Sequence, residues 1–309
     1  MVHALSFQES EEGRLKGYEM QPRSGDVFIA SPPKCGTTWV CQLVQTLRSR
    51  GDMSFEEINL PWSPRVFKTH IWYPDCPKAD GAKYIYVVRD PLEAAPSFFH
   101  FLCGWTFDEG EISLDEFVIE FFLKRGAPTS QMENASMLHN MASWYPHRAD
   151  PSVLWLHYED LHEDLPAVVR LIAQHLGIGA DDAGKLFVLP DTCIRLFGTE
   201  LQALAVQQGS IEFMRRFPEK YDEHMLKAAL NVNMGRPADA GMQGTASGSK
   251  VREGRVGSNS QQLGEAARAA IHSKWQEVMA PVTGCTSYQE MRRSINRELG
   301  RPFSSGGGA

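Results

Sequence analysis

Apolar residues along this chain fall into two rhythms. Short unbroken runs at Asp26 to Ala30 (DVFIA), Arg65 to Thr69 (RVFKT), Tyr84 to Val88 (YIYVV) and Val153 to His157 (VLWLH) predict four strands. The continuous apolarity of YIYVV predicts burial on both faces, as in a parallel sheet. Elsewhere the spacing is helical: Trp39, Val40, Leu43, Val44 and Leu47 share one face, and a helix after Pro91 carries Phe98, Phe99, Phe101 and Leu102. Further helices are predicted at about Leu114 to Phe122, Ala135 to Tyr145, Pro166 to Leu176 with Gly177 as its stop, and Glu265 to Met279, followed by a final polar helix. Strands alternating with helices predict an α/β fold, a single domain with a doubly wound, mainly parallel sheet flanked by helices, whose ligands sit at the carboxyl ends of the strands.

The same pattern divides the chain. Residues 1–23 are a polar lead-in without clear periodicity, residues 24–298 carry the domain, and residues 299–309 are expected to form a disordered tail. Residues 235–264, with seven glycines among Ser, Gln and Ala, are expected to be a flexible loop.

Composition removes several classes of function. The net charge is −7, from 31 Lys plus Arg against 38 Asp plus Glu, so no global basic field exists for nucleic acid or an anionic membrane. The acidity is expected on the outer surface. No apolar run approaches the roughly 18 residues of a membrane span, and the first residues lack a basic and then apolar leader. The six cysteines are widely spaced, with no CxxC and no zinc-like Cys/His cluster, so reduced thiols, no metal and a cytoplasmic location are expected.

Candidate chemistry begins at Ser31-Pro-Pro-Lys-Cys-Gly-Thr-Thr-Trp39, between the first strand and its helix. Unpaired amides and the positive helix end make that position an anion site, to which Lys34 adds charge and Thr37 and Thr38 add hydroxyls, while Gly36 permits close approach. An ordinary capped turn is the bland alternative. Lys34 precedes Gly36, so the loop is not a Walker A motif, although Asp90 after the third strand could imitate a Walker B aspartate in a P-loop kinase or NTPase.

These residues resemble the cytosolic sulfotransferases, whose first signature is similar to Pro33, Lys34, Cys35, Gly36, Thr37, Thr38 and Trp39, with Pro32 and Cys35 in place of the usual Tyr and Ser. The resemblance implies a sulfuryl transfer from 3'-phosphoadenosine 5'-phosphosulfate (PAPS) to a small-molecule hydroxyl or amine, releasing adenosine 3',5'-bisphosphate. It implies that the loop binds the 5'-phosphosulfate and that Trp39 lies near adenine. Lys68-Thr69-His70 resembles the family's K-T-H, in which His70 is the catalytic base and Lys68 steadies the transferring group. Arg89 with Ser97 resembles the 3'-phosphate signature, with Pro96 as a departure inside the expected helix; a plain Arg89 to Asp90 pair is the alternative. Tyr158, in VLWLHYED, and Thr192 correspond to adenine contacts. Arg252, Glu253 and Gly254, in VREGRVG, resemble a late phosphate-closing motif, with Glu253 where a basic residue is usual. Trp72 and Phe101 are candidates for the acceptor pocket, alongside Trp62, Phe99 and Trp105. The family's dimer motif has no counterpart in Ser258 to Ala270, so monomer and dimer both stay open. A non-catalytic nucleotide-binding scaffold is the third reading, and the intact Lys34, Lys68 and His70 set speaks against it.

Overall fold

The computed structural model describes residues 11–49, 51, 65–103, 110–178, 198–217, 220–221, 228, 231–232, 235–238 and 257–303. Four short strands, β1 (Val27–Ala30), β2 (Val66–Thr69), β3 (Lys83–Val88) and β4 (Val153–His157), form one sheet in the order β2-β1-β3-β4. Every pair is parallel, with Ala30 opposite Thr69 on one side and Tyr86 on the other. After β1 the chain crosses to one neighbour and then returns to the other, so the strand order reverses between β1 and β3. The connections leaving the two strands at such a reversal run to opposite faces of the sheet and leave a crevice beyond the strand ends.

Period-two alternation sorts the strand residues onto two faces. Phe28, Ala30, Tyr84, Tyr86, Val88 and Trp155 enter one core, and Val27, Ile29, Ile85, Val87, Leu154 and Leu156 enter the other. The second face is covered by α2 (Thr37–Ser49), α7 (Leu165–His175) and α8 (Gly198–Gln208), through Leu43, Val44, Val168, Ile172 and Leu201. The first is covered by α3 (Pro91–Leu102), α4 (Leu114–Phe117), α5 (Met137–Trp144), α10 (Glu265–Val278) and α12 (Tyr288–Glu298). Between α5 and α7 the short α6 (Tyr158–Glu163) leaves β4 directly, the short α9 (Ile211–Met214) follows α8, and α11 (Ala280–Thr283) joins α10 to α12. This is the doubly wound α/β arrangement that the pattern of runs implies.

Four details add to or depart from expectation. The lead-in contains α1 (Glu11–Glu19), with Lys16 in its last turn, where a cation suits the helix dipole, although no apolar stripe marks it. Residues 299–303 are docked: Phe303 is buried in the α2-side core and Arg301 donates to the Trp155 carbonyl. The last helix, polar by composition, still buries Tyr288, Met291 and Ile295 on one face. Of the expected flexible segment, residues 257–264 are anchored, with Gly264 N–H donating to Asp115 Oδ1 at 3.0 Å and Gln262 meeting His100 at 2.7 Å; residues 239–256 lie outside the described residues.

Candidate active site

Buried Ser31 leaves β1 and organises the loop behind it. Its hydroxyl meets Thr37 Oγ1 at 2.5 Å, and its N–H donates to the Thr69 carbonyl at 3.3 Å. The chain then turns through Lys34 at φ +66° and Gly36 at φ +98° before entering α2 at Thr37. Only glycine fits at position 36, where a Cβ would stand 2.7 Å from Tyr158 Cδ2. Cys35 is fully buried in the α3-side core, and burial pushes its thiol well above the usual range. Its side chain therefore serves packing, and its backbone is the part that remains for a ligand. Thr38 is half-buried on the first turn of α2.

The same Ser31 sets the imidazole that follows β2. His70 Nδ1 lies 2.8 Å from the Ser31 carbonyl. A carbonyl only accepts, so Nδ1 carries the proton and Nε2 is the basic nitrogen of the neutral ring. From the other side Asn140 Nδ2 donates to the His70 carbonyl at 3.0 Å, while Asn140 Oδ1 accepts from Tyr86 OH at 2.7 Å. The ring is thus fixed from β1 and its backbone from α5. Lys34 Nζ reaches over the buried Phe101 ring, 4.3 Å from its centroid. Lys68 is exposed, opposite Ile29 in register and hence on the α2 face.

At the end of β3 the arrangement changes. Arg89 is only 5% exposed, stacks on the Tyr158 ring at 4.2 Å and approaches Glu93 Oε2 at 3.4 Å. Its Nε is buried with no hydrogen-bond partner. Such an orphaned donor calls for an acceptor. The partner of Arg89 is therefore Glu93 and not Asp90. Asp90 instead caps α3, accepting from Leu92 N–H at 2.8 Å, and receives Gln289 Nε2 from α12. Burial, then the Glu159 carboxylate, push its carboxyl up to about 7. Glu159, itself raised by burial, accepts from Asp90 N–H at 3.1 Å and Tyr288 OH at 2.5 Å.

Around these groups the nucleotide-side candidates converge. Trp39 and Tyr158 meet edge to face at 5.7 Å, and His162 closes the cluster at 4.8 Å from each ring. Trp39 Nε1 donates to Gly209 O at 2.6 Å. Burial, then the nearby Arg89, bring His162 down to about 4, so it is neutral at pH 7. Ser97 is half-buried further along α3, and Pro96 sits inside that helix, whose start at Pro91 it leaves undisturbed. Thr192, Arg252, Glu253 and Gly254, with Trp62 and Trp105, lie outside the described residues.

A small recess opens beside the loop, lined by Pro33, Phe98, Phe121, Phe122, Arg125 and Met137, among others. A π-helical turn at Val118–Phe122 widens the helix that supplies two of these rings, a distortion frequent at functional sites. Of the predicted acceptor residues, Phe101 underlies Lys34, and Trp72 is half-buried before the turn Tyr73–Asp75; neither lines the recess. Phe121, Phe122 and Arg125 went unpredicted, because no motif marks them.

The Lys34 loop, the imidazole held by Ser31 and the buried Arg89 guanidinium all stand at strand ends on either side of the sheet's reversal, the place where ligands of such sheets sit. The model of the sulfotransferase domain matches residues 24–62 and 52–283, and the chain belongs to that family. Among curated relatives, mouse sulfotransferase 6B1 is 28% identical over 75% of this chain and 81% of its own length, and rabbit amine sulfotransferase is 28% identical over 53% and 59%. The fold is shared with mouse sulfotransferase SULT7A1 complexed with PAP (TM-score 0.62, 21% identity, 94% of this chain and 95% of that one). It is also shared with retinol dehydratase in complex with androsterone and the inactive cofactor PAP (TM-score 0.59, 18% identity, 85% and 83%). Among the described residues no helix is long and apolar enough to cross a membrane.

Proposed function

We propose that the protein transfers a sulfuryl group from PAPS to a hydroxyl or amine of an apolar small molecule and releases adenosine 3',5'-bisphosphate. The observation that carries this reading is the orphaned Nε of buried Arg89. It gives the crevice a second anion position, on the strand next to the loop. A nucleotide phosphorylated at both its 5' and 3' positions needs two such positions, whereas ATP carries all its phosphates at one end. Asp90 is unsuited to the kinase alternative: it is engaged as a helix cap and its carboxyl is pushed up to about 7, a poor state for holding magnesium.

PAPS supplies an activated sulfuryl group on a phosphate leaving group, and its residues of contact follow from the site. The amides of residues 35–38, with Lys34, hold the 5' end; Arg89 and Ser97 hold the 3'-phosphate; Trp39 and Tyr158 flank the base. His70 Nε2 takes the acceptor proton as the acceptor oxygen or nitrogen bonds to sulfur and the bond from sulfur to the bridging oxygen breaks. Lys34 offsets the charge left on that oxygen, and Lys68 offsets charge on the transferring oxygens. Phe98, Phe121, Phe122 and Met137 favour an apolar acceptor body. Thr192, Arg252 and Gly254 are proposed as further cofactor contacts from sequence alone.

Mass spectrometry after incubation with PAPS and a panel of apolar alcohols, phenols and amines tests the assignment. Sulfonated acceptor together with adenosine 3',5'-bisphosphate is expected. Magnesium-dependent ATP turnover without affinity for the bisphosphate would establish the kinase instead.

A further inference from the structure

We propose that Glu93 is a positioning residue for recognition of the 3'-phosphate, an inference that rests on the assignment of Arg89 to that group. Glu93 sits in the first turn of α3, four residues after Arg89, and is 4% exposed. One carboxylate oxygen, Oε2, faces Arg89 Nη2 at 3.4 Å; the other, Oε1, accepts the Ser260 backbone N–H at 3.0 Å. The Glu93 carbonyl accepts Asn259 Nδ2 at 3.1 Å. One residue thus joins the end of β3 to the turn at 257–260, which directly follows the Arg252 to Gly257 motif in sequence.

The physical need for such a residue follows from burial. A guanidinium taken out of water is costly unless an anion accompanies it, and its five donors are fixed in one plane. Glu93 supplies the anion and engages the Nη2 side, while the Tyr158 ring supports the flat face at 4.2 Å. The Nε donor is left without a partner in the protein. The carboxylate therefore aims the guanidinium and leaves part of its donor set for a ligand oxygen. A residue serving only as a favourable charge at the start of α3 would affect the stability of that helix and not the reading of one phosphate.

Calorimetric titration of the full chain with adenosine 3',5'-bisphosphate and with adenosine 5'-monophosphate separates these roles, because only the first carries the 3'-phosphate. Wild type is expected to prefer the bisphosphate. Glu93→Gln is expected to lose roughly tenfold of that preference, the scale of one charge-assisted hydrogen bond, with monophosphate affinity unchanged within about twofold. Glu93→Asp, charged but one methylene shorter, should fall between the two, and it carries the test alone if the glutamine variant does not fold. A preference kept in the variants, or equal losses for both nucleotides, overturns the role of Glu93. Arg89→Ala supplies the control. If it abolishes the preference while Glu93→Gln keeps it, only the inference about Glu93 fails; if it keeps the preference, or wild type has none, the assignment of Arg89 fails and this inference with it.

Discussion

The exits of β1 and β3 stand side by side and hold positive charge in opposite ways. After β1 the positive character is spread over helix-start amides, threonine hydroxyls and half-buried Lys34, in a loop whose shape depends on Gly36 at φ +98° and on Ser31. After β3 it is one buried guanidinium with Glu93 at 3.4 Å, beside Asp90 and Glu159. Burying a cation demands counter-charge, whereas amides carry none and demand only backbone geometry. Damage at β1 should therefore appear as lost geometry, and damage at β3 as altered charge balance and pH response.

The largest expected effect tests what the β1 side orients. His70→Ala should lower kcat by about 10²- to 10⁴-fold while bisphosphate affinity moves less than about threefold, by steady-state sulfonation and calorimetry. Equal loss of binding would make the imidazole a prop for Ser31 and not a base. Next is Gly36→Ala, whose methyl would meet Tyr158 at 2.7 Å in a backbone region alanine avoids. A cost of about 2–4 kcal/mol is expected, combining backbone strain and overpacking, and is visible as a lowered Tm with weaker nucleotide binding. An unchanged melt would refute the geometric account of the loop.

The smallest effect concerns charge at β3. The Asp90 carboxyl is pushed up to about 7 from an ordinary 3.8, so the native state keeps a proton that the unfolded chain gives up between those values. Stability should therefore fall as pH rises from about 4 to about 7. Asp90→Asn can still cap Leu92 but cannot titrate, and denaturant melts across this window should show a flatter profile. Because Glu159 shares the burial, the difference should be about 2 kcal/mol rather than the full value for three pKa units. An equally steep profile in the variant would assign the slope to Glu159.

The loop at 31–39 was legible because its chemistry is local: strand, turn and helix start lie within a few residues. His70 was legible through its motif, but its tautomer depends on the Ser31 carbonyl, 39 positions away. Arg89 was legible as a guanidinium at a strand end, and the alternative of a plain pair with Asp90 gives way to Glu93. The four-residue spacing to Glu93 is a helical pairing distance, but position 89 lies before the helix start at Pro91, and the acidity expected on the outer surface includes buried Asp90 and Glu93 and half-buried Glu159 near Arg89. The recess had no linear signal, since its walls come from residues 33, 98, 121, 125 and 137, which only tertiary packing assembles.

Docking of α12 against the strand ends also bears on the order in which the molecule is made. A chain emerging from its N-terminus can join Ser31 to His70 once 39 further residues exist, whereas Asp90 must wait 199 residues for Gln289. Contacts so distant in sequence carry the greater closure entropy and tend to form late. The Ser31 to His70 contact can therefore close before the surroundings of Arg89 are finished, and the buried guanidinium is the last part of the site to acquire its neighbours.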